Sequence, residues 1–144
     1  MRERGMGTVQ QFNMKRIWED VLEMEVVLTL KGKWCEVKVD EYITASDIDM
    51  LISTLSAFNA RNGKSPKTWT LDVPLVHVSL TFELANARGT VRVNAVVEQM
   101  KGDGGDMQAT FSFETTMGQM DDLQRQLSVF LARETDLVES LRPE

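Results

Sequence analysis

Three successive segments in the middle of the chain alternate apolar and polar residues almost without a break. Few arrangements satisfy them other than an antiparallel sheet with one face in a core and one in water. Residues 75–84 set Val76, Val78, Leu80, Phe82 and Leu84 against His77, Ser79, Thr81 and Glu83. Next, Val91, Val93, Ala95 and Val97 oppose Arg92, Asn94, Val96 and Glu98, and then Met107, Ala109, Phe111 and Phe113 oppose Gln108, Thr110, Ser112 and Glu114. Residues 85–89 and the glycine-rich residues 101–106 supply the connections.

The flanks add a hairpin and two helices. Residues 1–14, with Arg2, Arg4, Gly5 and Gly7, have little periodicity and read as a loose tail before a single domain over residues 15–144. Residues 14–24 suit a helical turn and an extended lead-in equally and are left unassigned. Leu22, Met24, Val26, Leu28 and Leu30 then alternate as a strand, Lys31-Gly32-Lys33 turns the chain, and Cys35, Val37 and Val39 return it. Thr44 with Asp47 has the form of a capping box, and Ile48, Leu51, Leu55 and Phe58 follow at helical spacing. Residues 69–73 form a short strand, with Pro74 marking a bend or edge. After the third regular strand, Thr116 and Gln119 open a second helix with the stripe Met120, Leu123, Leu127, Phe130 and Leu131, which Leu137 and Leu141 extend into a frayed tail. No internal repeat interrupts this order. The expectation is an α+β, two-layer domain: an antiparallel sheet of about six strands with two amphipathic helices packed on one face.

Composition narrows the functional classes. The chain has 144 residues, 42% of them hydrophobic, which suits one core rather than two domains. Its net charge of -6 opposes attraction to nucleic acid or anionic lipid and favours a basic protein partner. A lone cysteine, the lack of an apolar leader in the first eleven residues and the lack of a spanning segment point to a cytoplasmic protein.

Signals for chemistry are weak. His77 is the single histidine, so a metal site of paired histidines is excluded. Cys35 shares the core register of Val37 and Val39, where a small buried hydrophobe is the usual role, which argues against a Cys35–His77 nucleophile and base. Residues 101–106 lack the ligand pattern of a calcium loop and the Lys-Ser/Thr end of a phosphate loop. Asp121-Asp122 falls in a helix first turn, where acids have a structural reason. No catalytic residue, cofactor or metal site is assigned. The candidates are for partner binding: Trp34 and Trp69 as tryptophans placed for exposure, Asp40 and Glu41 as acids complementary to a basic surface, and the polar sheet register His77, Thr81, Arg92, Asn94, Gln108 and Thr110, with Ser112.

Trp34-x-x-Val37, the helix over residues 43–58, the central strands and Phe111-Ser112-Phe113-Glu114-Thr115 leading to Leu123 and Leu127 resemble bacterial immunity proteins of the WapI type. The resemblance spans residues 22–131 in element order and apolar pattern, and transfers no individual interface residue. It implies a small cytoplasmic protein that neutralises a toxin domain, often a nuclease, made by the same cell. The expected function is thus a non-enzymatic protein-binding module. The alternatives are a small-molecule-binding or regulatory domain with a cavity between helices and sheet, and an enzyme whose dispersed carboxylates converge. An exposed edge over residues 69–73 leaves a homodimer open.

Overall fold

The computed structural model describes residues 9–100 and 106–143. Its elements follow in the order β1 (Phe12–Glu19), β2 (Met24–Lys31), β3 (Glu36–Ile43), α1 (Ala45–Ala60), β4 (Lys67–Val73), β5 (Val76–Leu84), β6 (Thr90–Gln99), β7 (Met107–Thr116), α2 (Met117–Leu131) and β8 (Leu137–Ser140). The α+β class holds. The single sheet of about six strands is corrected to two antiparallel sheets of four, β3-β2-β1-β8 and β4-β5-β6-β7.

Two local features account for the difference. A bulge in β1 interrupts the alternation: Arg16 pairs with Val26, yet Trp18 pairs with Glu25, so Ile17 has no opposite number. This hid a strand within residues 14–24, and the strand opens at Phe12, inside the stretch read as tail. At the other end, residues 137–141 do not prolong α2. Leu137–Ser140 instead pairs with β1, from Phe12 opposite Ser140 to Lys15 opposite Leu137, and only four residues are too few for periodicity to tell strand from helix.

The order is a three-stranded meander, a helix and one strand, stated twice. The strand that ends each unit pairs with the first strand of the other: β4 with β5 and β8 with β1. The expectation of no internal repeat is corrected here, since the helices carry one in the sequence. Thr44, Ile48, Leu51, Leu55 and Phe58 correspond, at one constant separation, to Thr116, Met120, Leu123, Leu127 and Phe130. Both threonines cap, Thr44 Oγ1 accepting from Asp47 N and Thr116 Oγ1 from Gln119 N, while Asp47 also accepts from Thr44 N to complete the capping box. Each such cap is worth about 1 kcal/mol.

Both helix stripes are buried in one core with the inward faces of the two sheets, which include Val26, Leu28, Leu30, Val78, Leu80 and Phe82. Phe58 meets Phe82 with ring centroids 6.2 Å apart. Its counterpart Phe130 meets Arg16 instead, whose guanidinium carbon lies 4.0 Å from the ring centroid. Arg16 is 8% exposed, and its Nη2 donates to the Phe130 carbonyl at 2.6 Å while Nη1 reaches the Thr135 carbonyl and the Asp136 carboxylate. The cation thus satisfies carbonyls at the end of α2, where the helix dipole favours positive charge. Asp122 ties α2 to β8 by accepting from Ser140 Oγ at 2.7 Å, which gives this acid a structural use.

Among the described residues no helix is long and apolar enough to cross a membrane.

Candidate functional site

The bulge that disguised β1 also builds the surface of greatest interest. Phe12, Met14 and Arg16 point inward; the extra residue at Ile17 reverses the parity, so Trp18 turns out opposite Glu25. Glu25 in turn faces Tyr42. Trp18 and Tyr42 therefore flank Glu25 on the outer face of the first sheet, ring centroids 6.1 Å apart, each about half exposed. The β1–β2 turn continues the apolar surface with Val21 and Leu22, both exposed. Asp20 holds that turn: its Oδ1 accepts from Leu22 N at 2.8 Å and Glu23 N at 2.9 Å. These two bonds keep its carboxyl below the usual range.

Acids surround the aromatic pair. Asp40 lies diagonal to Glu25 on the same face, and Glu41, opposite buried Val26 on the other register, joins the cleft from edge strand β3. With Lys38, Tyr42 and Gln99 they line a cleft of about 610 Å³. Glu25 is held above its ordinary carboxyl range by a hydrogen bond with Asp40, then by desolvation and the Asp40 charge. Glu41 is raised first by burial and then by Asp40. No Lys or Arg among the described residues is ion-paired with any of the three, whereas Arg16, Arg92, Arg125 and Arg133 all have carboxylate partners.

The sequence candidates divide. Asp40 and Glu41 lie in this acidic surface. Trp34 is 89% exposed, in the β2–β3 turn with the Lys33 ammonium 5.3 Å from the ring centroid. Six residues of extended chain, about 20 Å, separate it from Asp40. Trp69 is withdrawn as a contact residue. It is 2% exposed, and its Nε1 donates to the Asp47 carbonyl at 3.1 Å, fastening β4 to α1. Its register matches that of Leu71, on the core side of an edge strand.

His77, Thr81, Arg92, Asn94, Gln108 and Thr110 do share one face, the outer side of the second sheet. They stand in cross-strand rows: Asp72, His77, Glu98 and Gln108; Thr70, Ser79, Val96 and Thr110; Thr68, Thr81, Asn94 and Ser112. Much of the polar capacity there is turned inward on the face itself. Arg92 sits between Glu83 and Glu114, Asn94 donates to Glu83 at 2.8 Å, and the Thr68 and Thr81 hydroxyls are 2.9 Å apart.

The catalytic arrangements gain no geometry. Cys35 lies beside the β2–β3 turn, partly buried against the core, while His77 is on the second sheet with Asp72 3.9 Å away. Among the described residues no group of three His, Cys, Asp or Glu could hold a metal ion. Residues 101–105 of the glycine-rich loop lie outside the described residues, and Asp106 is exposed.

Trp18, Glu25 and Tyr42 are the functional candidates that sequence reasoning missed. Glu25 and Tyr42 occupy the polar registers of their strands and were legible as outward-facing. Trp18 was not, because its orientation depends on the bulge. Compared with known proteins, the chain matches no protein-family model and no curated protein.

Proposed function

We propose that this protein is a non-enzymatic protein-binding module that engages a basic partner through the outer end of its first sheet. Its most concrete form is cytoplasmic immunity, the neutralisation of a basic toxin or nuclease domain, in keeping with the resemblance to immunity proteins of the WapI type. The observation that carries the reading is the trio Glu25, Asp40 and Glu41, none ion-paired with a Lys or Arg among the described residues, beside exposed Trp18 and Tyr42. Crowded carboxylates cost free energy that an incoming Lys or Arg relieves. Aromatic side chains supply the desolvated centre of a typical interface. The competing cavity reading finds less support, since Ile48, Leu51, Leu55 and Phe58 fill the space under α1 with fully buried side chains.

The test is capture of partners from a lysate of the source organism on tagged protein, at low and high salt, with a W18A/D40N variant beside the natural chain. A stoichiometric basic protein, weakened by salt and lost by the variant, is expected. Recovery of the chain alone, with the toxin domain present in the lysate, would sink the immunity reading.

A further inference from the structure

The acidic cleft has a neighbour. A second cleft, of about 460 Å³, is lined by residues 72–77 of the β4–β5 hairpin, Leu75 among them, and by Glu98 and Met100. The end of β6 contributes to both from its opposite faces: Gln99 lines the first, and its chain neighbours Glu98 and Met100 line the second. The second cleft is apolar where the first is charged. Leu75 is 55% exposed and Met100 59%, and the Leu75 carbonyl accepts from Met100 N at 2.8 Å, which fixes one against the other. Leu75 holds this position at φ 70°, at the corner of the two-residue β4–β5 turn where Gly or Asn is the relaxed choice. A large apolar residue is thus kept on the surface at a conformational cost.

Charge selects the occupant of this groove. Glu25, Asp40, Glu41, Asp72 and Glu98 border the paired clefts against Lys38 as the single lysine or arginine in their linings. Such a surface repels an acidic segment and favours a cationic one over a neutral one, which gains no charge attraction there.

Building on the proposed protein-binding function, we propose that the partner's docking element is a basic segment with interspersed apolar residues, lying across the end of β6. Its apolar side chains seat on Leu75 and Met100, and its Lys or Arg side chains meet Glu98 on one side and Asp40 and Glu41 on the other. A second copy of this chain is disfavoured as occupant by its own net charge of -6.

The experiment titrates the full chain, isotopically labelled, with a synthetic peptide of alternating arginine and leucine, and with a glutamate–leucine peptide as control, following backbone amide shifts by NMR. The expected result is salt-sensitive binding of the arginine peptide alone, with shifts at Leu75, Glu98 to Met100 and Asp40 to Tyr42. L75S/M100S and D40N/E98Q are each expected to weaken it about tenfold, with melting temperatures checked by circular dichroism. Binding that leaves these residues unshifted, or that both double variants retain while folded, overturns the groove but spares a basic partner docking elsewhere. Equal binding of both peptides, or of neither, overturns the groove and the basic-partner reading together. Concentration-dependent shifts without peptide would assign the groove to self-association and likewise overturn it.

Discussion

Glu25 and Asp40 lie diagonally across neighbouring strands on the outer face of the first sheet, and neither is ion-paired with a Lys or Arg among the described residues. Hydrogen bonding toward Asp40, then desolvation and the Asp40 charge, hold the Glu25 carboxyl above its ordinary range in the folded chain. From the ordinary glutamate value of about 4.5 up to that raised value, the folded state binds more protons than the unfolded state. Stability therefore falls as pH rises through this window and stays lower above it. Glu25→Gln is expected to match the natural chain in urea unfolding at pH 4 and to exceed it at pH 7. A variant less stable at pH 7 would mean that the pair is favourable as it stands. Asp20 acts in the opposite sense: its lowered carboxyl adds stability that is lost as pH falls below 3.8.

Gly63 predicts a backbone effect. Its φ is +76°, and an added Cβ would lie 2.8 Å from Leu84 Cγ and 2.9 Å from Phe58 Cζ. Gly63→Ala therefore meets both left-handed strain and a packed core, and is expected to cost about 1–3 kcal/mol in denaturant midpoint analysis. An unchanged midpoint would show that the turn after α1 relaxes freely.

Arg16 predicts where the chain opens first. Arg16→Ala strips the Phe130 carbonyl of a buried donor and removes a cation from the face of its ring. A loss of about 3 kcal/mol is expected, with hydrogen exchange accelerating in β8 and the last turn of α2 before the second sheet. Arg16→Lys should recover little, because one ammonium cannot replace the forked contacts to Phe130, Thr135 and Asp136. Uniform acceleration across the chain would contradict this local role.

The tryptophans separate by burial. Trp69→Ala is expected to cost about 3–5 kcal/mol, while Trp34→Ala should fall within about 0.5 kcal/mol of the natural chain. Acrylamide should quench the emission of Trp18 and Trp34 and spare Trp69, read in variants that each retain one tryptophan. Ready quenching of Trp69 would overturn its place against Asp47.

What the sequence disclosed follows the strength of each local signal. The strands over residues 76–84, 90–99 and 107–116 repeat a two-residue period long enough to be read directly, and both helices announce themselves by a threonine cap and an apolar stripe. β1 was hidden by one inserted residue, since Ile17 shifts the parity that would have marked the strand. β8 was hidden by its length. The exchange of closing strands between the two units has no local signature, because it resides in which strands meet rather than in what each contains. The docking surface was half legible. Asp40 and Glu41 stand out as acids, but their grouping with Glu25, Tyr42 and Trp18 depends on strand register and the bulge. Trp69 misled because a tryptophan at the start of an edge strand gives no sign of which face it takes.

The most direct test of a basic partner at the bulged end of the first sheet is hydrogen–deuterium exchange of the chain alone and in complex with the captured partner. Protection is predicted over residues 17–25 and 40–42, with little change around Thr81, Asn94 and Thr110. Protection confined to the outer face of the second sheet, with residues 17–25 and 40–42 exchanging as in the free chain, would contradict the account.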